Sequence, residues 1–181
     1  MTRPSRATAS GRAYLDLQAR ARREGRPADE LLTLYVLERF LYRLSVSAYS
    51  DLLVLKGGLL LSVFGQRRPT RDIDLLAKTT SNEPAAIATL VSEIVGLEVD
   101  DGVVYETSQL TTRMIREQDL YAAVRVAVPA RIDRARQPLR IDVNVGDPVI
   151  PGPALVNYPA LLGESFRSLP TRSKPSWPES S

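Results

Sequence analysis

A strand, a double glycine and a pair of aspartates follow one another closely in this sequence, and their order constrains the fold more than any other feature. The apolar run Leu52–Leu55 predicts a strand that leads into Gly57-Gly58, after which a short apolar helix is expected. A basic turn then leads to a second strand, which begins with Asp72 and Asp74 on either side of an isoleucine. The pattern predicts a strand–helix–strand unit with polar residues at the strand ends.

The chemistry of this unit points to a nucleotide and a metal ion. Alternate side chains of a strand point to the same face, so Asp72 and Asp74 are expected side by side while Ile73 faces the core. Two carboxylates at that spacing repel unless a cation lies between them, and oxygen ligands at the lip of a sheet suit Mg²⁺. Glycines let backbone N–H groups approach an anion at the start of the next helix. We therefore expect a combined nucleotide and metal site.

Composition limits the chemistry that such a site can use. The chain has no cysteine and no histidine, which excludes disulfides, thiolate ligands, a cysteine nucleophile and an imidazole base. Catalysis would have to rest on carboxylates, Arg or Lys, hydroxyl groups and bound metal. The length of 181 residues predicts one domain. No apolar run approaches the roughly 20 residues that span a bilayer, so no membrane partner is expected.

Periodicity predicts helices first and strands later. Amphipathic or buried helices are predicted over Ser10–Glu24, Pro27–Ser45 and Pro84–Val95. Within the second helix, Arg39 and Arg43 are interpreted as the solvent-exposed stripe, although they could instead border a site. Strands are predicted over residues 103–108, 110–116 and 121–128, arranged as a meander, and a last clear strand over 139–145.

The last predicted strand repeats the arrangement of the first aspartates. In residues 139–145 the apolar side chains alternate with polar ones, and Asp142 lies on the polar face. Beyond Pro148 the chain becomes rich in proline and serine. We therefore expect a flexible N-terminus over residues 1–9, a folded domain over 10–166 and a disordered tail over 167–181.

Three motifs in this order resemble the AbiEii/AbiGii nucleotidyltransferase toxins, a group that includes the MenT-like toxins. The motifs are the glycine pair, the run from Arg68 to Asp74 that reads Arg-x-Thr-x-Asp-Ile-Asp, and Asp142 followed by Gly146-Asp147. The resemblance covers residues 10–165. It implies an α/β (α+β) fold with a DNA-polymerase-β-like nucleotidyltransferase core, in which two N-terminal helices pack on a small mixed sheet.

The resemblance also implies an activity and its partners. Such a toxin transfers a nucleoside monophosphate from an NTP to RNA, with tRNA 3′ ends as the expected acceptor and Mg²⁺ or Mn²⁺ as the cofactor. It acts in the cytoplasm and is neutralised by a cognate antitoxin. Asp72, Asp74 and Asp142 are then expected to bind the metal, and Asp142 could instead act as the base toward the attacking hydroxyl. The residues expected to contact the nucleotide are Lys56, Gly57, Gly58, Arg68, Thr70 and Arg71.

Other interpretations of the same residues stay open at this point. Asp142 could form a structural ion pair with Arg68 or Arg71, and Asp72 and Asp74 could be ordinary residues at the start of a strand. The proline- and serine-rich segment stands where relatives continue into a lysine-bearing helical half. The chain could therefore be a truncated remnant that binds antitoxin or nucleotide without turnover. An adenylyltransferase that modifies a small molecule such as an antibiotic would share the same glycine and aspartate pattern.

Overall fold

Three α-helices, one short 3₁₀ helix (Thr107–Gln109) and eight strands occur in the part of the chain that the computed structural model describes, which is residues 2–56, 71–78, 81–117, 121–145, 154–163 and 166–172. The helices are α1 (Ala9–Glu24), α2 (Ala28–Val46) and α3 (Pro84–Val95). The strands are β1 (Leu53–Lys56), β2 (Asp72–Ala77), β3 (Val103–Tyr105), β4 (Thr111–Glu117), β5 (Tyr121–Ile132), β6 (Ala135–Val145), β7 (Ala154–Tyr158) and β8 (Phe166–Arg172). The apolar helix predicted after the glycine pair lies outside the described residues.

Local sequence explains where α1 begins and ends. The hydroxyl of Thr8 accepts the backbone N–H of Gly11 at 3.1 Å, which caps the first turn. Gly25 ends the helix in the left-handed conformation with φ of 63°, which glycine adopts without a Cβ clash. The predicted helix of residues 10–24 is confirmed to within one residue. None of the helices in the described ranges is long and apolar enough to cross a membrane.

The strands form one mixed sheet, which confirms the predicted α+β class. Its order is β3-β5-β6-β2-β1-β8-β7, and β4 also pairs with β5. β2 runs parallel to β6 and β1 runs parallel to β8, whereas the other pairs are antiparallel. The predicted meander is wrong in one respect, because β3 and β4 both pair with β5 rather than with each other.

The three helices pack on one face of this sheet. Helix α2 lies against β6 and β8, α3 against β4 and β5, and α1 against β5. Buried residues of the helices share one apolar core with alternate residues of the strands, such as Ile73 and Leu75 of β2 and Val126 of β5. Because side chains alternate along a strand, the residues between them, including Asp72 and Asp74, lie on the opposite face.

The predicted disordered tail is wrong for residues 167–172. These residues belong to β8, which pairs with both β1 and β7, and Leu55 lies opposite Thr171 in the register. Composition reports only the local tendency of a segment, and here the neighbouring strands supply the hydrogen-bonding partners. Residues 173–181 lie outside the described part of the chain.

The prediction that Arg39 and Arg43 form an exposed stripe of α2 is also wrong. They are only 9% and 2% exposed. Arg43 donates to both carboxylate oxygens of Asp101, at 2.7 and 3.2 Å, and its guanidinium lies 5.0 Å from the centroid of the Tyr105 ring. Because these partners come from a distant segment, the periodicity of the helix could not reveal them.

A second buried charge connects α2 to the segment between β7 and β8. Glu38 has no exposed surface; it accepts the backbone N–H of Leu161 at 2.8 Å and the guanidinium of Arg39 at 2.8 Å. From the other side, Arg20 of α1 donates to the carbonyl of Leu161 at 2.6 Å. Burial raises the pKa of Glu38 to about 7, although Arg39 opposes the shift.

Removing the acidic partner of Arg43 is expected to destabilise the fold. In Asp101→Asn the buried guanidinium loses its counter-charge, which should lower the free energy of unfolding by about 3–5 kcal/mol in urea melts. The control is Asp16→Asn, whose partner Arg6 lies at 2.7 Å with both side chains well exposed. That change should cost no more than about 1 kcal/mol. Equal losses in the two variants would contradict a structural role for the buried pair.

The titration of Glu38 is expected to make stability depend on pH. Its folded-state pKa is about 7 against an ordinary value of 4.5, so the folded state binds the extra proton between those values. The free energy of unfolding should therefore fall as pH rises through this window, by up to about 1.4 kcal/mol per unit from this group. Glu38→Gln should flatten the profile between pH 5 and pH 7 in melts at fixed ionic strength. A slope that survives in the variant would assign the effect to another group.

Candidate active site on the open face of the sheet

The face of the sheet opposite the helices carries the aspartates that open β2. Ile73 and Leu75 are fully buried in the core, whereas Asp72 is half-buried and Asp74 is exposed. The strand begins at Asp72, and its alternation is the one predicted from the sequence. The two carboxylates therefore occupy one face at the start of the strand.

The third aspartate lies next to them because β2 and β6 run parallel. Asp74 is directly opposite Asp142 in the register, and Asp72 is opposite Arg140. Neighbouring strands lie about 4.8 Å apart, and residues that face each other across them point to the same side. Asp74 and Asp142, which come from two separate segments of the sequence, therefore lie on the same face of neighbouring strands.

Asp142 is held by Arg125, a residue that was not among the predicted site residues. Asp142 is only 3% exposed. Its two carboxylate oxygens accept hydrogen bonds from Nε and Nη2 of Arg125, each at 2.8 Å. Arg125 lies directly opposite in β5. Within the described residues the ion pair of Asp142 is therefore made with Arg125, whereas Arg71 is exposed and Arg68 lies outside the described residues. The signal available in the sequence was that Arg125 is the one charged residue in the otherwise apolar segment 121–128.

One oxygen of Asp72 has no partner among the residues that the structure describes. Its Oδ1 is buried and makes no hydrogen bond to any of them. A buried carboxylate oxygen without a partner is costly, and this atom lies beside a second carboxylate of the same strand. Hard oxygen donors of this kind fit a divalent cation. Among the described residues, no group of three acidic side chains is placed to hold an ion as it stands, and Arg125 occupies both oxygens of Asp142.

The expected nucleotide contacts are only partly within the described chain. Lys56 is the last residue of β1, where its backbone is opposite Arg172 of β8. Arg71 immediately precedes β2 and is exposed. Gly57, Gly58, Arg68 and Thr70 lie outside the described residues, so their expected contacts stay predictions.

A mixed sheet with helices packed on it is the fold that the resemblance implied. Residues 39–174 match the family described as the nucleotidyl transferase AbiEii toxin of type IV toxin–antitoxin systems. Because this match covers well over half of the sequence, the chain belongs to the AbiEii family.

Two crystal structures from Helicobacter pylori are similar to this chain. One is the protein JHP933, with 15% identity and a TM-score of 0.42 over 67% of this chain and 46% of that chain. The other is a candidate nucleotidyltransferase, with 16% identity and a TM-score of 0.38 over 63% of this chain and 44% of that chain. The match thus spans less than half the length of either protein. Comparison with curated proteins finds no significant match.

Breaking the pair that holds Asp142 is expected to weaken the fold. Arg125→Ala leaves a buried carboxylate without its counter-charge, which should cost on the order of 3 kcal/mol of unfolding free energy. Arg125→Lys keeps the charge but loses the two-pronged geometry, so an intermediate loss is expected. Urea melts would measure both.

Strand β5 offers a matched control for this experiment. Arg131→Ala removes an arginine whose partner Glu106 lies at 3.0 Å, but that arginine side chain is 49% exposed. Its loss should stay within about 1 kcal/mol. If Arg125→Ala were no more destabilised than Arg131→Ala, the pair with Asp142 would contribute little to the fold.

Proposed function

We propose that this chain transfers a nucleoside monophosphate from an NTP to RNA, with tRNA 3′ ends as the acceptor, and acts in the cytoplasm as the toxin of a toxin–antitoxin pair. One observation carries the proposal. In a chain of the AbiEii family, Asp74 lies in register with Asp142 on the open face of the sheet, beside the unpartnered oxygen of Asp72. The antitoxin partner follows from the family; the RNA acceptor is our extension.

Asp72 and Asp74 would hold the metal ion in this proposal. A divalent cation held by these carboxylates, Mg²⁺ or Mn²⁺, would stabilise the negative charge that develops during phosphoryl transfer. The contribution of the chain itself is to hold two carboxylates at one edge, with Ile73 and Leu75 anchored in the core so that the strand cannot rotate. The unpartnered oxygen of Asp72 is the donor best suited to gain a ligand.

Asp142 has two possible duties toward the acceptor. As a base it would accept the proton of the attacking hydroxyl, and as a third ligand it would complete the metal site. In both cases Arg125 compensates its negative charge while no substrate is bound, because a buried carboxylate beside Asp74 is otherwise costly. Each carboxylate oxygen of Asp142 accepts one bond from Arg125 and keeps a second lone pair for such a partner.

The remaining expected contacts belong to the nucleotide. Gly57 and Gly58 would offer backbone N–H groups to the phosphates. Lys56, Arg68 and Arg71 would balance the negative charge of the triphosphate, and the hydroxyl of Thr70 would donate a hydrogen bond. Arg71 is exposed immediately before β2, which is the end of the strand where Asp72 and Asp74 lie.

Loss of either aspartate of β2 is expected to abolish transfer. Asp72→Asn and Asp74→Asn should each lower transfer of labelled NMP to tRNA by a hundredfold or more, since outer partners of metal ligands alone contribute about 10–100-fold. Chelation of divalent cations with EDTA should reduce the wild-type rate to the same level. The assay incubates each protein with labelled NTPs, Mg²⁺ and total tRNA, then separates the RNA on a gel.

A variant on the same strand supplies the control. Leu76→Val lies further along β2 and keeps an apolar side chain, so transfer should remain close to wild type. Labelling of a small-molecule acceptor in place of RNA would reassign the substrate. Transfer to tRNA that persists in Asp72→Asn would remove the aspartate pair from the mechanism.

A further inference from the structure

Arginines continue the line of aspartates across the open face of the sheet. Arg113 of β4 is directly opposite Arg125 of β5, Arg125 is opposite Asp142 of β6, and Asp142 is opposite Asp74 of β2. Residues that face each other across paired strands point to the same side of a sheet. These four side chains therefore form one row that runs from the outer strand β4 to the candidate active site.

A third arginine lies in the neighbouring row. Arg140 of β6 is opposite Asp72 on one side and opposite Ala127 of β5 on the other. Ala127 is two residues beyond Arg125 in the same strand, so both point to the open face. Because Ala127 contributes only a methyl group, the surface between Arg125 and Arg140 holds little bulk.

The three arginines of these two rows differ in whether they have a partner within the described chain. Arg125 is compensated by Asp142, at 2.8 Å. Arg113 is exposed and Arg140 is half-buried, and within the described ranges neither makes a hydrogen bond or an ion pair. Arg113 faces Arg125, whose charge Asp142 already compensates. A phosphate group at Arg113 would therefore supply a partner that the described chain does not offer there.

We propose that Arg113 and Arg140, which flank the pair of Arg125 and Asp142, bind phosphate groups in the backbone of the acceptor RNA. This inference rests on the function proposed above and adds the surface that the acceptor would occupy. Guanidinium groups match the geometry of phosphate oxygens and stay charged at every physiological pH. Phosphate contacts of this kind position a nucleic acid without reading its sequence.

Distance favours the backbone of a polymer over the phosphates of the nucleotide. Asp74 and Arg113 are separated by three strand spacings, or roughly 14 Å. A triphosphate held at Asp72 and Asp74 lies at the inner end of the row, whereas Arg113 lies at the outer strand. A strand of RNA with its 3′ end at the aspartates would extend past Arg140 toward Arg113.

Binding of a fluorescein-labelled single-stranded oligouridine tests the proposal without requiring catalysis. The full chain would be titrated by fluorescence anisotropy at several salt concentrations, with Mg²⁺ and no NTP. Arg113→Ala and Arg140→Ala should each weaken binding and lower the slope of log affinity against log salt by about 0.7, the value for one lost contact to a single strand.

Strand β4 supplies a matched control. Arg116 is exposed in the same strand but lies three residues from Arg113, so it points to the other face of the sheet. Arg116→Ala should leave affinity and salt slope at wild-type values. The proposal would be overturned if Arg113→Ala and Arg140→Ala bound oligouridine as tightly as Arg116→Ala does. It would also be overturned if the wild-type chain did not bind this RNA.

A second arm separates the two possible sources of phosphate. Affinity for inorganic tripolyphosphate and for NTP with Mg²⁺ would be measured by calorimetry in the same variants. Unchanged nucleotide affinity in Arg113→Ala supports the RNA backbone. A loss of nucleotide affinity as large as the loss of RNA affinity would assign the arginines to the nucleotide and overturn the proposal.

Transfer activity and RNA binding are measured separately, so that the proposed function and the RNA surface are tested independently. Asp72→Asn should bind oligouridine as the wild type does while losing transfer. A wild-type chain that labels no RNA, but whose oligouridine affinity falls in Arg113→Ala, would refute the transfer reaction and leave the RNA surface standing. If Arg113→Ala and Arg140→Ala instead transfer at the normal rate with an unchanged KM for tRNA, the RNA surface would be refuted and the transfer reaction would stand.

Discussion

The parallel pairing of β2 with β6 is the constraint on which the candidate site depends. It sets Asp74 opposite Asp142 on one face while Ile73 and Ile141 lie opposite each other in the core. A shift of the register by one residue would bring apolar side chains to the open face and aspartates into the core. The hydrophobic effect on one face of the sheet therefore fixes the geometry of the charges on the other.

Charge compensation is arranged differently on the two sides of the sheet. On the helix side, the buried Arg43 and Asp101 are matched to each other, and Glu38 is matched to Arg39 and a backbone N–H. The carboxylates of Asp101 and Glu38 and the guanidinium of Arg43 thus have the partners that burial requires. On the open side, Asp72 retains an oxygen without a partner, and Arg113 and Arg140 have no partner in the described chain. The first pattern is typical of architecture and the second of a surface that receives ligands.

Much of the fold could be predicted because its signals are local. The hydroxyl of Thr8 and the glycine at 25 delimit α1, and the apolar periodicity of α2 and α3 marks helices within one or two residues of those observed. The errors share one cause. Arg43 was predicted to be exposed because its partner Asp101 is distant in the sequence. Residues 167–172 were predicted to be disordered because the pairing of β8 with β1 and β7 is equally distant. Partners distant in sequence override local tendency.

By itself, the sequence determined the chemical character of the site: carboxylates spaced two apart in a strand, a third in another strand, and no cysteine or histidine to offer other chemistry. The tertiary structure alone decided the partners. It chose Arg125 for Asp142 and placed Arg113 and Arg140 on the same face. The physical reason is that the alternation of side chains along a strand depends only on neighbouring residues, whereas the register between strands depends on the packing of the whole core.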